Sequence, residues 1–180
     1  MNSKINTTNL NSENKNLYID PQKSCCFTGH RIIRSEDVSA INHNLPILLK
    51  ELYKGGINTF IAGGALGFDT IAALEVIKFK SAHNDVRLIL ALPCKNQTAK
   101  WNYSQKQQYA EVLNSADEVI YISDAYLPGC MQKRNRFMVD NSNTVIVYIH
   151  NASSGTGYTA KYALDKERRV INILTYQNVN

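Results

Sequence analysis

Short apolar segments alternate with longer amphipathic segments along most of this chain. Most of the short segments are rich in Ile, Val and Leu, with no regular polar face. Strands that are apolar on both faces are typical of a parallel sheet covered by helices on both sides. Regular alternation of such strands with helices is the pattern of a doubly wound sheet. The sequence therefore predicts one α/β domain with a Rossmann-like, mainly parallel sheet flanked by helices.

The predicted strands cover residues 24–28, 57–62, 86–92, 118–123, 144–150 and 170–174. The predicted helices cover residues 38–54, 68–81, 101–115, 129–141 and 156–167. Pro46 lies inside the first helix and is expected to kink or split it, because proline removes a backbone donor and clashes with the preceding turn. We predict a disordered, polar N-terminal tail over residues 1–22 and the Rossmann-like domain over residues 23–176.

Charge and composition restrict the environment and the partners. The chain carries 20 Lys and Arg against 15 Asp and Glu, a net charge of +5, which suits a phosphate-bearing partner but also an ordinary solvated surface. No apolar run reaches the roughly 18–20 residues that span a bilayer, and no secretory signal begins the chain. The four cysteines lack zinc-type spacing and are interpreted as reduced core residues. We expect a cytoplasmic protein with no membrane contact, no metal and no cofactor.

The ends of the predicted strands indicate where a ligand binds. Open parallel sheets bind ligands outside the carboxyl ends of their strands, where the strand order reverses. The first predicted strand is followed by Gly29, His30 and Arg31. The guanidinium fork of an arginine suits phosphate or carboxylate recognition. The alternative is that Arg31 pairs with a nearby carboxylate and His30 packs against the protein.

The second predicted strand runs into a glycine-rich turn, GGALGFD over residues 63–69, which opens a helix. Free backbone N–H groups and the positive end of a helix dipole favour an anion at such a place. A tight turn that simply needs room gives the same pattern. Asp69 also has two interpretations: it favours the helix start, or it holds a ribose hydroxyl or a partner arginine.

Two further segments carry the same kind of signal. The segment NASSGTGYT, residues 151–159, is a second loop of small residues that opens a helix, and its Tyr158 is a candidate for stacking on a base. Lys133, Arg134 and Arg136 lie at the start of the preceding helix, where the dipole disfavours cations. A nearby anion would account for them; a solvated basic face is the alternative. Together the two loops favour phosphate or pyrophosphate binding.

The predicted site residues all belong to these segments after the strands. None is assigned a catalytic role, because no Ser/His/Asp or Cys/His arrangement is readable. The predicted ligand-binding residues are Gly29, His30, Arg31, Gly63, Gly64, Ala65, Gly67, Asp69, Arg134, Asn135, Ser154, Gly155, Thr156, Gly157 and Tyr158.

Five segments, in this order, resemble the YpsA-like branch of the SLOG superfamily: FTGHR, FIAGGALGFD, PCKNQTAKW, KRNRFMVDNS and SSGTGYT. That superfamily also contains the Lonely-Guy phosphoribohydrolases and the DprA/Smf DNA-processing proteins. The resemblance covers about residues 24–174. It implies a Rossmann-like fold with a nucleotide-type ligand over the strand ends, such as a nucleoside monophosphate, an ADP-ribose-like molecule or single-stranded DNA. It also implies a homo-oligomer, either a dimer or a larger assembly.

One departure from the phosphoribohydrolases bears on activity. Those enzymes carry the motif P-G-G-x-G-T-x-x-E, whose glutamate assists cleavage of the N-glycosidic bond. The residues Gly155, Thr156 and Gly157 match the core of that motif, but the glutamate position falls on Lys161. A lysine cannot supply the carboxylate. Glu75 or Asp69 could supply one, but nothing in the sequence places either at a scissile bond.

Three functions are compatible with these patterns. The favoured one is binding of a nucleotide-derived ligand, ADP-ribose/NAD-like or a nucleoside phosphate, by a sensor, carrier or sequestering protein. The second is a hydrolase of an N-glycosidic or phosphoester bond in such a ligand. The third is a single-stranded nucleic-acid binder, which needs a continuous basic groove with stacking aromatics. The basic residues are scattered along the sequence, so the expected partner is a nucleotide-like small molecule, and nucleic acid is not expected.

Overall fold

The structure, a computed structural model, describes residues 6–9, 18–151 and 154–177. The strands are β1 (Asn6–Asn9), β2 (Ser24–Gly29), β3 (Thr59–Ala62), β4 (Arg87–Leu92), β5 (Glu118–Tyr121), β6 (Thr144–Tyr148) and β7 (Arg169–Asn172). The helices are α1 (Val38–Lys54), α2 (Phe68–Lys80), α3 (Tyr103–Ser115), α4 (Cys130–Asp140) and α5 (Gly155–Asp165). Short 3-10 turns over Pro21–Lys23 and Ser35–Asp37 precede β2 and α1.

All seven strands form one parallel sheet in the order β1-β5-β4-β3-β2-β6-β7. The chain winds outward from β2 through β3, β4 and β5, then returns to the other side of β2 to form β6 and β7. The carboxyl ends of all strands therefore meet at one edge, and the strand order reverses between β2 and β6. The predicted doubly wound, parallel α/β architecture is confirmed.

The core lies in two layers, one on each face of the sheet. Successive strand residues point to opposite faces, so Phe60 and Ile61 of β3 belong to different layers. One layer packs α1, α2 and α3 through residues such as Leu48 and Phe68. The other packs α4 and α5 through residues such as Met138. This two-sided burial explains why the strands are apolar at nearly every position.

The four cysteines are buried free thiols, in agreement with their interpretation as core residues. Burial raises the pKa of the Cys26 thiol to about 12, so this thiol stays protonated. None of the helices in the described part of the chain is long and apolar enough to cross a membrane.

Strand β1 lies inside the segment expected to be a tail, and sequence analysis did not predict it. It pairs in parallel with β5, from Asn6 opposite Glu118 to Asn9 opposite Tyr121. Thr is common in strands but Asn is not, and these four polar residues carry no apolar face that would indicate a strand. Ile19 is also buried, against the layer that contains α4 and α5. Residues 1–5 and 10–17 of the expected tail lie outside the described residues, and the division into tail and domain stays a prediction.

Helix α1 is continuous through Pro46, so the proline does not split the helix, and that it kinks the helix stays a prediction. The helix buries Leu45, Leu48, Leu49 and Leu52 on the face that packs against the sheet. Burial of this apolar face is worth several kcal/mol and outweighs the loss of one backbone hydrogen bond.

Replacing Pro46 by alanine should therefore stabilise the protein. The restored helical hydrogen bond is worth up to about 3 kcal/mol, and the greater freedom of the unfolded chain removes up to about 1 kcal/mol of this gain. We expect the free energy of unfolding, measured by urea denaturation, to rise by about 1–2 kcal/mol. Lys50→Ala, at an exposed position of the same helix, is the control and should change it by less than about 0.5 kcal/mol. If the free energy of unfolding does not rise in Pro46→Ala, the proline does not destabilise helix α1.

Candidate anion-binding crevice

A crevice of about 290 Å³ opens at the carboxyl edge of the sheet, between the end of β2 and the start of the helix that follows β6. This is the point where the strand order reverses, so the crevice lies where the fold predicts a ligand. Its wall combines the end of β2, the turn between β3 and α2, one face of α4 and the start of α5. The lining residues are Phe27, Thr28, Gly29, His30, Arg31, Ala65, Asp69, Met131, Arg134, Asn135, Met138, Ser154, Gly155 and Thr156.

Most of the predicted ligand-binding residues lie in this wall. Five do not: Gly63, Gly64, Gly67, Gly157 and Tyr158. Sequence analysis missed the apolar part of the wall, namely Phe27, Met131 and Met138, because apolar residues on a strand and a helix resemble core positions. Contact of the predicted ligand-binding residues with a ligand stays a prediction.

The glycine-rich turn is held by the carboxylate of Asp69. The N–H of Gly63 donates to one carboxylate oxygen at 2.9 Å, and the N–H of Ala65 donates to the other at 2.8 Å. Asp69 stands in the first turn of α2 and is buried. These two backbone donors therefore bind the protein's own carboxylate and are not open to a phosphate.

The glycines of this turn make room for protein groups. A Cβ at Gly63 would collide with the guanidinium of Arg134. Gly67 has a φ of +81°, and a Cβ there would collide with the backbone carbonyls of His30 and Arg31. The glycine-rich turn was interpreted either as an anion site or as a tight turn that needs room. Close packing of protein groups accounts for both Gly63 and Gly67.

Arg134 connects the turn to the other helices of the site. It is only 7% exposed, and its Nη1 donates to the carbonyl oxygen of Gly63. Its Nε donates to Asn135 Oδ1 at 2.7 Å. Asn135 Nδ2 in turn donates to Thr159 Oγ1 of α5 at 2.8 Å. The network fixes α4 against the starts of both α2 and α5.

Asp69 and Arg134 are a buried pair of opposite charges. Burial raises the pKa of the Asp69 carboxyl, while the positive charge of Arg134 and the backbone N–H donors act against this rise. Burial lowers the pKa of Arg134, the charge of Asp69 raises it, and the charge of Arg31 lowers it further. Each charge therefore depends on the other, and removing one would leave a buried charge without its counterion.

The crevice brings two cationic side chains to one wall. Arg134 is buried in the wall, whereas Arg31 is exposed. Within residues 18–151 and 154–177, Arg31 forms no ion pair with a carboxylate, so the alternative that Arg31 pairs within the protein finds no support. The two guanidinium groups repel each other, and an anion between them would relieve the repulsion.

The start of α5 adds backbone donors to the same wall. Ser154 caps the helix by accepting the N–H of Gly157 at 3.1 Å, and its carbonyl accepts the N–H of Tyr158 at 2.9 Å. The N–H groups of Gly155 and Thr156 precede these bonds and have no acceptor within the helix. Both residues line the crevice, so the positive end of the helix faces the space beside the arginines.

Tyr158 lies outside the crevice, on the exposed side of α5. Arg136 donates to its hydroxyl, and the guanidinium lies 5.8 Å from the centre of its ring. Trp101 packs edge-on against Tyr109 with the ring centres 5.5 Å apart. Neither side chain lines the crevice, and that Tyr158 contacts a ligand stays a prediction.

A group of polar side chains beside the crevice was missed from the sequence. Asp37 accepts hydrogen bonds from the hydroxyl of Tyr148 at 2.8 Å and from Nε2 of His150 at 2.6 Å. The backbone N–H of His150 donates to Nε2 of His30 at 3.3 Å. Tyr148 ends β6 and His150 lies two residues later, and only the pairing of β6 with β2 brings them to His30. The sequence alone does not reveal that pairing.

Opposing effects set the pKa values in this group. Burial raises the pKa of Asp37, but the hydrogen bonds from Tyr148 and His150 and the nearby positive charges outweigh it, so the net pKa is lowered. Burial lowers the pKa of His30, and the charges of His150 and Arg34 lower it further. Asp37 is therefore ionised and His30 neutral near pH 7.

The crevice offers no free carboxylate for N-glycosidic cleavage. Asp69 is the one carboxylate among the described residues of its wall, and backbone N–H groups occupy both of its oxygens. Lys161, at the position of the hydrolase glutamate, pairs with Asp165 at 2.8 Å on the exposed face of α5, and Glu75 pairs with Lys78 at 3.6 Å. In the part of the chain that the structure describes, no three His, Cys, Asp or Glu side chains are grouped as metal ligands.

An open parallel α/β sheet with a polar crevice at its switch point defines a Rossmann-like protein. The model of the YpsA family, described as the YspA SLOG family, matches residues 27–178, and the chain belongs to this family. The resemblance drawn from the sequence motifs is confirmed.

Two relatives and two solved structures illustrate the similarity. The uncharacterized SPbeta prophage-derived protein YoqJ of Bacillus subtilis is 35% identical over 66% of this chain and 77% of its own length. A UPF0398 protein of Halalkalibacterium halodurans is 29% identical over 58% of this chain and 57% of its own. DNA processing protein A of Streptococcus pneumoniae has a TM-score of 0.62 at 18% identity, covering 84% of this chain and half of that protein. The Helicobacter pylori protein of the same name has a TM-score of 0.61 at 22% identity, covering 89% of this chain and 68% of that protein.

These structures correct one expectation. Sequence analysis did not expect nucleic acid as a partner, because the basic residues are scattered along the chain. Both of the solved structures named above are DNA processing proteins, and the Helicobacter pylori structure is described by its single-stranded DNA binding mode. Exclusion of nucleic acid is therefore wrong, since scatter along the sequence says little about where the folded chain brings the cations.

Replacing Asp69 by asparagine tests the carboxylate that holds the turn. The amide NH₂ would face one of the two backbone N–H groups, and Arg134 would lose its buried counterion. We expect the free energy of unfolding to fall by about 2–4 kcal/mol in urea denaturation. Glu75→Gln, on the same helix, should lower it by less than about 0.5 kcal/mol. A small loss for Asp69→Asn would show that the turn does not depend on this charge.

The lowered pKa of His30 predicts a loss of stability in mild acid. A histidine whose folded pKa lies below its ordinary value of 6.5 contributes stability above that pH and loses it as the pH falls through the folded pKa. The urea midpoint should therefore fall less between about pH 7.5 and pH 5.5 in His30→Gln than in the unmodified protein. His43→Gln, at an exposed position of α1, should behave like the unmodified protein. Equal falls in all three proteins would contradict the assignment.

Proposed function

We propose that the crevice binds a phosphate group of a nucleotide-derived ligand, such as a nucleoside phosphate or an ADP-ribose/NAD-like molecule. The observation that carries the proposal is the convergence of Arg134, Arg31 and the start of α5 on one wall. A buried arginine, an exposed arginine and the open N-terminus of one helix together favour an anion. The apolar side chains of Met131 and Met138 in the same wall offer a surface for the ribose or base.

Binding without cleavage is the activity we favour. Asp69 has both oxygens occupied, and Lys161 replaces the carboxylate of the related hydrolases. A protein that binds its ligand and returns it intact is a sensor, a carrier or a sequestering protein. A cytoplasmic location and a homo-oligomeric state stay predictions.

Arg31→Ala tests the proposal, because Arg31 is exposed and its loss should leave the fold intact. In calorimetric titrations with AMP and ADP-ribose, we expect this variant to bind at least about tenfold more weakly, the effect of one charge-assisted hydrogen bond. Arg169→Ala, an exposed arginine at the amino end of β7, is the control and should bind like the unmodified protein. Chromatography of the recovered ligand separates binding from hydrolysis.

Two results would overturn the proposal. If neither AMP nor ADP-ribose binds the unmodified protein, the crevice is not a site for these nucleotides. If Arg31→Ala and Arg169→Ala bind equally well, the ligand does not reach the arginine wall. Recovery of a free base or of ribose phosphate would instead identify a hydrolase.

Single-stranded DNA is the second candidate, and a surface that follows β4 and β5 at the same edge of the sheet favours it. The loops after β4 and β5 lie against each other, since the N–H of Tyr126 donates to Asn96 Oδ1 at 3.1 Å. Two aromatic rings are exposed here, Tyr126 at 61% in the loop after β5 and Tyr103 at 78% at the start of α3, three residues after the exposed Lys100. Exposed rings beside cations at the carboxyl edge of the sheet suit stacked bases and a phosphate backbone. The likeness to DNA processing proteins supports the same candidate.

Fluorescence anisotropy with a labelled oligo-dT distinguishes the two candidates. If DNA is the ligand, affinity should fall steeply with salt, with a logarithmic slope of about −0.7 for each phosphate neutralised. Tyr126→Ala should weaken oligo-dT binding and leave AMP binding unchanged, because the ring lies outside the crevice. Tight AMP binding together with no oligo-dT binding at low salt would reject DNA.

A further inference from the structure

A second cavity, of about 460 Å³, lies directly beside the crevice. It shares His30, Arg31 and Ser154 with the crevice, so these residues form the boundary between the two spaces. On its far side it is lined by Arg34 and His150. A ligand in the crevice can therefore extend past Arg31 into a second space without crossing the core.

The second cavity is cationic, and its charges are only weakly neutralised. Arg34 is more than half exposed, and its nearest carboxylate, Glu36, lies 3.9 Å away and is itself 68% exposed. An exposed ion pair at this distance contributes little. Arg31 and Arg34 thus present two guanidinium groups to the same space, and the carboxylates of the described residues leave both accessible to an anion.

Buried groups hold the floor of this cavity in place. Asp37 accepts hydrogen bonds from the Tyr148 hydroxyl and from His150 Nε2, and the second bond orients the imidazole of His150. The backbone N–H of Arg34 donates to the Tyr148 hydroxyl at 3.1 Å, which fixes the chain that carries the guanidinium. The cationic wall is therefore built on a rigid base, as a binding subsite requires.

His30 is suited to contact a ligand from the boundary. Its Nε2 accepts the backbone N–H of His150, so in the neutral imidazole the proton lies on Nδ1. That N–H is a donor for an anionic oxygen. The boundary between the two spaces thus combines a guanidinium, an imidazole donor and the hydroxyl of Ser154.

We propose that the second cavity is a subsite for a second phosphate of the same ligand, recognised by Arg34 together with Arg31. The ligand class is then a nucleotide that carries a diphosphate, free or esterified, rather than a nucleoside monophosphate. Asp37 is a positioning residue that acts through His150 and Tyr148. This inference rests on the proposed function of the crevice, because the first phosphate must occupy that site.

Paired titrations with AMP and ADP test the subsite. The unmodified protein should bind ADP at least about tenfold more tightly than AMP. Arg34→Ala should remove most of this preference and change AMP affinity by less than about twofold, since Arg34 does not line the crevice. The variant keeps the backbone hydrogen bond to Tyr148, so its fold should be preserved, which circular dichroism and the urea midpoint would verify.

Two companion variants sharpen the test. Glu36→Gln removes the weakly paired carboxylate beside Arg34 and should leave the preference for ADP unchanged or increase it. Asp37→Asn should reduce the ADP-to-AMP affinity ratio, a readout that a general loss of stability would not move.

The outcomes separate the inference from the proposed function. If AMP and ADP bind equally well to the unmodified protein, or if Arg34→Ala weakens both to the same degree, the subsite is refuted while the crevice stands. If neither nucleotide binds, the proposed function fails and the subsite fails with it.

Discussion

The buried contact between the Asp69–Arg134 pair and the turn at Gly63 organises the carboxyl edge of the sheet. The carboxylate of Asp69 accepts hydrogen bonds from the N–H groups of Gly63 and Ala65, and the guanidinium of Arg134 donates to the carbonyl oxygen of Gly63. The pair costs desolvation energy, which the hydrogen bonds and the mutual attraction offset. Since Arg134 also contacts Asn135, and through it α5, the positions of three helix ends depend on this contact.

A site built in this way draws each of its groups from a different part of the chain. The loop after β2 supplies Arg31, α4 supplies Arg134, and the start of α5 supplies the backbone donors of Gly155 and Thr156. The doubly wound topology explains why they meet, because it brings the ends of β2 and β6 together although more than one hundred residues separate them. The cluster of His30, His150 and Asp37 forms beside them for the same reason.

Much of the fold was predictable because its signals are local. The apolar strands, the helix over residues 38–54 and the small-residue loops after strands all reflect period, length and turn chemistry. Strand β1 was not predictable, since its Asn and Thr residues carry no packing pattern. For the site, the small and basic residues that follow the strands predicted most of the crevice wall. The hydrogen-bond partners of the Asp69 carboxylate and the contact of His150 with His30 depend on the tertiary fold, which no local pattern reveals.

The convergence of these elements has a consequence for finding the ligand. The arginine wall and the donors of α5 come together only when the sheet is complete, so a molecule that binds there binds the folded chain alone. By mass action, such a ligand raises the free energy of unfolding, by about 2.7 kcal/mol at a ligand concentration one hundred times the dissociation constant. A rise in the melting temperature therefore reports binding. It can be used to screen a chemically diverse collection of metabolites without knowledge of any reaction.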